Sequence, residues 1–297
     1  MLKKQRMVPT PNLLTVGATG ADFTTISEAI EAADNPSADN RYTVYVYPGV
    51  YRENVYCRQF VNIVGVNKSS VFLAPPPPKL VCNVKLEDYV ELQNLTIWIP
   101  SGSTENDFSV VAIDKTNIGI RNCDIIPVDH SALAHCLYIS GSRWTTYLIE
   151  SLGMSYFGTD GYAIEVSGEG QNSDMHFVNL FVDALYIDRY AGDGGCMHVA
   201  NCNTVYLRNS LARTTPWGRC LRTGPLVPGK DYLVNVLVEG SSLEAVESSS
   251  ALYVGGGTTC YFRHSSSDSI NVEAGGTLVC SYPDRVVSIP GPWSRGP

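Results

Sequence analysis

The chain has 297 residues, of which 44% are hydrophobic and 17% are charged. This apolar content is enough for a continuous core, and an all-β domain of this length can fold undivided. The 21 basic and 29 acidic residues leave a formal net charge of −8, which argues against nucleic-acid binding through phosphate contacts. No apolar run reaches the roughly 18 to 20 residues that a membrane span needs.

The first residues are basic at Lys3, Lys4 and Arg6, but proline and polar residues follow where a signal peptide would have its apolar segment. The sequence therefore predicts a protein made in a cytoplasm and not secreted by that route. The nine cysteines form no CxxC pair, and no Cys–His spacing is typical of a zinc site. We predict no metal and no cofactor.

The N-terminal third contains the best helix pattern of the chain. Apolar residues recur at i, i+3, i+4 and i+7, which defines one helix face: Ile26, Ala29, Ile30 and Ala33. Thr25 and Glu28 match the capping-box spacing, and residues 34–36 (Asp-Asn-Pro) end the pattern. We expect a helix near residues 24–33 that covers the otherwise unpaired strand edges at one end of a sheet structure.

A repeat unit of two short strands then recurs along the chain, and the first strand of each unit ends in a polar residue. These polar residues are Asn94, Asn122, Ser151, Asn179 and Asn209, separated by 28, 29, 28 and 30 positions. Self-similar β-rich units at a fixed period are typical of a solenoid. Because stacked Asn side chains can hydrogen-bond along the axis of a solenoid, we predict that these residues form a ladder.

A second family of strands precedes these repeat units. Its strands share a position occupied by a small residue: Cys136, Ala163, Cys196, Cys220 and Ala251. A position shared by Cys and Ala is expected to be small, buried and chemically inert. Two or three strands per turn, with Asn recurring at one corner, predict an all-β fold: a right-handed parallel β-helix with a short N-terminal capping α-helix. The expected organisation is an N-terminal arm (1–13), a single β-helix domain (14–285) and a C-terminal tail (286–297).

The opening of the chain resembles that of a known family. Residues 16–30 (VGATGADFTTISEAI) and 41–55 (RYTVYVYPGVYRENV), followed by 62–66 (NIVGV), resemble the start of pectin methylesterases. They are also similar to the wider β-helix superfamily of pectate lyases and phage tail-spike proteins. The resemblance implies the β-helix fold with its capping helix.

The resemblance does not extend to the catalytic elements. Pectin methylesterases carry a Gln-Asp-Thr element, an Asp-Phe-Ile-Phe-Gly element and a Gly-Arg-Pro-Trp element, and this sequence has none of the three. Residues 215–219 (TPWGR) contain related letters in a different order. No catalytic residue is therefore carried over from the family.

Four aspartates are candidates for catalysis if the protein is an enzyme. A glycosidase needs two carboxyl groups roughly 5 to 10 Å apart, which is about one or two coils of stacking. Asp160 and Asp193 each precede the same kind of strand, and Asp183 and Asp188 flank another. Because an Asp beside Gly commonly caps a turn with its own side chain, the sequence favours a structural role for Asp160 and Asp193.

Three tryptophans occupy similar regions of successive coils: Trp98, Trp144 and Trp217. They either stack on sugar rings along one face or contact packing neighbours and a partner chain, where Trp is favoured. The sequence favours packing or partner contact.

Together these features predict a non-catalytic structural protein of a bacteriophage virion, either a capsid decoration or a tail-associated β-helix. Its expected location is the virion, after synthesis in the host cytoplasm. Its expected partners are other virion proteins and copies of itself, with a trimer as one form, and a polysaccharide partner stays open. The alternatives are a carbohydrate-active enzyme (lyase, hydrolase or esterase) and a glycan-binding module. An enzyme predicts acids converging with Arg or Lys on one face, whereas a structural protein predicts isolated turn acids.

Overall fold

The structure is a computed structural model that describes most of the chain. The described residues are 12–74, 82–104, 107–129, 134–141, 145–156, 162–168, 173–178, 181–184, 195–200, 204–214, 219–223, 234–245, 251–256, 258–281, 285–286 and 293–295. Within them, no helix has the length and apolar character that a membrane span requires.

The strands, numbered along the chain, form three parallel sheets. The first sheet has twelve strands: β1 (Leu13–Val16), β2 (Tyr42–Val46), β5 (Val61–Gly65), β8 (Glu91–Gln93), β11 (Ile118–Arg121), β14 (Thr145–Glu150), β17 (Ser173–Val178), β20 (Thr204–Arg208), β23 (Val234–Glu239), β26 (Thr258–Arg263), β29 (Thr277–Ser281) and β31 (Trp293–Arg295).

The second sheet has ten strands: β3 (Gly49–Tyr51), β6 (Val71–Leu73), β9 (Thr96–Ile99), β12 (Asp124–Pro127), β15 (Gly153–Tyr156), β18 (Phe181–Ala184), β21 (Leu211–Thr214), β24 (Ser242–Ala245), β27 (Ser266–Ser267) and β30 (Arg285–Val286). The third sheet has nine: β4 (Val55–Tyr56), β7 (Cys82–Lys85), β10 (Phe108–Ile113), β13 (His135–Gly141), β16 (Tyr162–Gly168), β19 (Gly195–Ala200), β22 (Arg219–Thr223), β25 (Leu252–Val254) and β28 (Ile270–Val272).

The chain visits the three sheets in turn and returns one coil further along the axis. Thus β2, β3 and β4 lie in different sheets, and β5 pairs in parallel with β2. This connectivity confirms the predicted right-handed parallel β-helix. The twelve strands of the first sheet, about 4.8 Å apart, give a rod roughly 50 Å long.

Inward side chains form continuous columns through the coils. Ile63, Leu92 and Ile120 are opposite one another in the first sheet, and all three are buried. The positions shared by Cys and Ala in the third sheet are also buried, as the sequence indicates: Cys136, Ala163, Cys196, Cys220 and Ala251. Burial in this apolar interior raises the pKa of the Cys136 and Cys220 thiols, which keeps them protonated and inert.

The one described helix, α1 (Ile26–Ala32), is shorter than the predicted span 24–33. Thr25 lies outside it as the N-cap, because its backbone is extended and its Oγ1 accepts the backbone N–H of Glu28 at 3.2 Å. The buried face consists of Ile26, Ala29 and Ile30, and α1 contacts β1, β2 and β4. The helix therefore covers the first coils, as expected.

At two corners of the β-helix, residues adopt the left-handed backbone conformation, with positive φ. Between the first and second sheets, the residues with φ of 45° to 59° are Asn94, Asn122, Ser151, Asn209, Gly240 and His264. Before the first sheet, those with φ of 54° to 67° are Asn12, Phe60, Tyr89 and Asn117. The aromatic members of the second corner, Phe60 and Tyr89, stack with their ring centroids 4.8 Å apart.

Most of the predicted arm and tail lies outside the described residues. Within the tail, β31 pairs in parallel with β29, with Trp293 opposite Leu278. The tail thus supplies the last described strand of the first sheet.

Candidate functional site

The outer face of the third sheet carries a column of polar and aromatic side chains. In β13, the member of this column stands between two residues of the core: Leu137 and Ile139 are buried on either side of Tyr138. The strand register places one member of the column in each coil: Lys85, Val111, Tyr138, Glu165, His198, Arg222, Tyr253 and Asn271. In consecutive coils, Glu165 therefore has Tyr138 on one side and His198 on the other.

A second column lies beside the first on the same face. Its register runs Phe108 and His135 and continues, from the next coil, with Tyr162, Gly195 and Arg219. We use the name third-sheet face for the residues of both columns that contact one another: Phe108, His135, Tyr138, Tyr162, Glu165, His198, Arg219, Arg222 and Tyr253.

Aromatic contacts link the columns at one end of this face. The Phe108 ring lies 5.3 Å from the His135 ring and 4.6 Å from the Tyr138 ring, centroid to centroid. Tyr162 packs on His198 at 5.1 Å. Nδ1 of His135 lies 2.5 Å from the backbone carbonyl oxygen of Tyr162, so this contact requires the proton on Nδ1. Both imidazoles are buried, with His135 6% and His198 0% exposed, and their orientation is fixed by these rings.

Glu165 is the carboxyl group at the centre of the face. Burial raises its pKa above the ordinary value, and the nearby His135 opposes that effect in part. A carboxyl group with a raised pKa, flanked by imidazoles, can exchange a proton nearer to neutral pH than an exposed one. The raised pKa of Glu165 is therefore the feature of this face that favours acid–base catalysis.

The other end of the face is cationic and aromatic. The guanidinium carbon of Arg219 lies 4.4 Å from the ring centroid of Tyr253, and that of Arg222 lies 5.6 Å from it. Nη1 of Arg222 also donates to Oη of Tyr162 at 3.5 Å, two coils away. Burial, and secondarily the charge of Glu273, raises the pKa of the Tyr253 hydroxyl, so Tyr253 stays neutral.

Gly195 lies between Tyr162 and Arg219 in the second column. A Cβ atom at this position would come within 1.8 Å of the backbone carbonyl oxygen of Arg219. Only glycine fits this approach of β19 to β22.

The aspartates considered as catalytic candidates do not belong to the described part of this face. Asp183 is in β18 of the second sheet, paired with Ser155 and Arg213. Asp160, Asp188 and Asp193 lie outside the described residues. Across the part of the chain that is described, no three His, Cys, Asp or Glu side chains converge so as to hold a metal ion.

Of the three tryptophans, only Trp98 is described. It lies in β9 of the second sheet, and its ring centroid is 4.8 Å from that of Phe72 in the preceding coil. Trp144 and Trp217 lie outside the described residues.

At the corner predicted to hold the Asn ladder, Nδ2 of Asn122 donates to Oδ1 of Asn94 at 2.8 Å. Ser151 and Asn209 share the left-handed backbone of this corner. Asn179 lies outside the described residues. Side-chain bonding along the axis is thus described for the first step of the series.

The third-sheet face was not predicted from the sequence, because members in adjacent coils are 24 to 33 positions apart and form no local motif. One signal was present. Aligning the second strand family places Tyr138, Glu165, His198, Arg222 and Tyr253 at a single position, one residue after a buried apolar residue.

Two pectin methylesterases of known structure are similar to this chain over most of its length. Pectin methylesterase from carrot superimposes with a TM-score of 0.44 and 13% identity over 96% of this chain and 82% of that chain. Pectin methylesterase from Aspergillus niger superimposes with a TM-score of 0.45 and 13% identity over 97% of this chain and 81% of that chain. At this identity the likeness concerns the fold alone. No protein-family model matches the sequence, and no curated protein matches it significantly.

Proposed function

We propose that the protein is a non-catalytic structural component of a bacteriophage particle, as a capsid decoration or a tail-associated β-helix. Its proposed partners are other virion proteins and further copies of itself. The observation that supports this role is the use of acidic side chains between coils. Six ion pairs among the described residues each join different coils: Lys68–Asp124, Lys115–Glu87, Arg121–Glu91, Arg121–Glu150, Arg208–Glu239 and Arg213–Glu244.

These pairs lie at the surface, where a single one contributes only about 0 to 1 kcal/mol to the free energy of unfolding. Their structural role comes from the way they connect neighbouring coils. Arg121 lies within 4.0 Å of Glu91 and within 3.9 Å of Glu150, so one guanidinium bridges three consecutive coils of the first sheet. Acids engaged in this way hold the coils of a rod in register and are not available as a converging catalytic pair.

Mass spectrometry of phage particles tests this proposal. Particles from the source culture are banded on a density gradient, and the chain is quantified against the major capsid protein and in the unbanded lysate. We expect the chain to band with the particles at a fixed whole-number ratio. Recovery of the chain only from the unbanded lysate contradicts a virion role.

A second candidate function is binding or modification of a glycan on the third-sheet face. The observation that favours it is the half-buried Glu165 beside His135, with two arginines against Tyr253 on the same face. An enzyme predicts acids that converge with Arg or Lys, and this face supplies the arginines and one acid. The rings of Tyr138 and Tyr253 add flat surface against which sugar rings can pack.

A glycan array tests the second candidate. The purified chain is compared with Y253A, which removes a ring of the face, and with Y261A, which removes an exposed tyrosine of the first sheet. We expect binding that Y253A weakens and Y261A leaves unchanged. Equal signals from all three proteins, or no signal, contradict this candidate.

A further inference from the structure

We propose that two copies of the chain associate through the outer faces of their first sheets, with the two rods antiparallel. This inference rests on the proposed structural role and deepens it, because it names the surface through which the protein contacts a further copy of itself. The surface consists of a charged column on the first sheet and the column beside it.

The charged column has one residue in each of seven consecutive coils. The strand register gives its order along the axis: Gln93, Arg121, Glu150, Val178, Arg208, Glu239 and Arg263. Four of its charged side chains keep 39% to 46% of their surface exposed: Arg121, Glu150, Arg208 and Glu239. The first sheet therefore presents charges of both signs to the solvent in a fixed order.

This order is self-complementary about the level of Val178. In a two-fold dimer the same patch of both copies forms the contact, so each pairing occurs twice. A two-fold axis between the faces, perpendicular to the rods and at the level of Val178, places Glu150 opposite Arg208 of the second copy. The same axis places Arg121 opposite Glu239. Both pairings join opposite charges.

The charges also select this register over its neighbours. A second copy shifted by one coil in one direction places Glu150 opposite Glu239. A shift by one coil in the other direction places Arg121 opposite Arg208. Like charges that face one another at an interface disfavour that arrangement, so the centred register is preferred.

The neighbouring column is largely apolar. In register order its members are Leu148, His176, Tyr206, Leu237, Tyr261 and Val279. Leu148 and Leu237 are partly exposed, and Tyr261 is 37% exposed. The two-fold axis sets this column against its own copy, with Leu148 opposite Tyr206. Removal of these side chains from water supplies attraction, and the charged column supplies the register.

The central position of β17 gives the two faces a long overlap. It is the seventh of twelve strands, so an antiparallel copy centred on it covers eleven strands, from β2 to β31. Strands about 4.8 Å apart then span about 48 Å, and a five-residue strand such as β2 is about 17 Å long. The flat overlap is about 800 Å² for each copy, which is the area that a specific interface commonly buries on each side.

The ion pairs inside the chain are compatible with these contacts. Arg121 lies 4.0 and 3.9 Å from its two carboxylates, and Arg208 lies 3.3 Å from that of Glu239. A guanidinium has five N–H donors and a carboxylate about four acceptor sites, so each group can pair within its chain and across the interface. The contact thus extends each surface pair into a network of charges, which stabilises more than an isolated pair does.

Analytical ultracentrifugation of the purified full chain at about 150 mM salt tests the proposal. We expect the wild type at about 10 μM to have twice the 32.3 kDa mass of the chain. E150R and R208E each introduce two contacts between like charges into the dimer. We therefore expect either variant alone to self-associate at least about tenfold more weakly than the wild type.

An equimolar mixture of E150R and R208E tests the two-fold register itself. In a dimer of one E150R chain and one R208E chain, opposite charges face one another at both contacts. We therefore expect the mixture to regain the dimer that each variant has lost. The matched control is R213E, which reverses an arginine of the second sheet that pairs with Glu244. We expect R213E to dimerise as the wild type does.

A monomeric or trimeric wild type overturns the proposal, and this mass decides the matter even if a variant fails to fold. The proposal is also overturned if E150R alone dimerises as the wild type does, or if the mixture of variants that circular dichroism shows to be folded stays monomeric. None of these results bears on the virion role, which depends on whether the chain bands with the particles. Recovery from the unbanded lysate alone would in turn leave the dimer standing.

Discussion

The carboxylate of Glu53, on the first coils, caps the helix that begins at Ile26: Oε1 accepts the backbone N–H of Ile26 at 2.7 Å. Oε2 accepts the backbone N–H of Ser27 at 2.8 Å and also its hydroxyl. The first N–H groups of a helix have no partner inside the helix, and a negative charge at that end is favourable. Glu53 thereby joins the capping helix to the coils that it covers.

We expect E53Q to lower the free energy of unfolding by about 1 to 2 kcal/mol, because the amide supplies one acceptor where the carboxylate supplied two. Urea denaturation followed by circular dichroism measures this change. The control is E31Q, which alters an exposed acid on the same helix. Equal stability of E53Q and the wild type contradicts the role assigned to Glu53.

The side-chain hydrogen bond from Asn122 to Asn94 predicts different losses of stability for two substitutions of Asn122. N122A removes the side-chain bond and places alanine in the left-handed region, so we expect a loss of about 2 kcal/mol. N122G removes the same bond but tolerates the backbone, so we expect a loss of only about 1 kcal/mol. Urea denaturation separates the two, and a larger loss in N122G than in N122A contradicts this account of the corner.

The close approach of β19 to β22 makes Gly195 intolerant of any side chain. We expect G195A to destabilise the protein by about 3 kcal/mol or more, because its Cβ meets backbone that cannot move aside without breaking the strand pair. The control is G102A, where a Cβ meets nothing within 4 Å but φ is +73°. That variant should lose only about 1 kcal/mol, measured by thermal unfolding. Similar melting temperatures for the two variants contradict the clash.

The raised pKa of Glu165 predicts a pH-dependent stability. The folded chain holds this proton more tightly than the unfolded chain, whose Glu165 has the ordinary pKa of 4.5. The contribution to stability is therefore fully present below pH 4.5 and is lost as the pH rises through the raised pKa. E165Q cannot ionise, so we expect the free energy of unfolding of the wild type to fall relative to that of E165Q as the pH rises from acid to neutral. A difference that stays constant with pH contradicts the assigned environment.

Some elements of the fold could be predicted because the same type of side chain recurs at the same position of each coil. The corner at Asn94 and Asn122 was readable because Asn is the residue that best tolerates left-handed backbone after glycine and can also bond along the axis. The corner at Phe60 and Tyr89 has the same backbone but was not predicted. Its four members are two asparagines, Asn12 and Asn117, and two aromatic residues, so no single side-chain chemistry recurs along it and the φ values reveal it.

The candidate site was not predictable from local motifs. Glu165, His198 and Arg222 become neighbours only when three coils stack in register, and loops of different lengths separate their strands. Asp160 and Asp193 were candidates because each precedes the same kind of strand, although both stand beside glycine, which is a turn signal. The functional candidates instead lie in the middle of strands, where an outward polar residue looks like an ordinary solvated position.

A turnover assay tests the central claim, that the chain is not catalytic, most directly. The purified wild type and E165Q are incubated with a panel of acidic and neutral bacterial polysaccharides, and new chain ends, unsaturated products and released esters are quantified. The account predicts no product above the level of a heat-denatured sample for either protein. Product formed by the wild type and lost in E165Q would contradict it and would make the third-sheet face an active site.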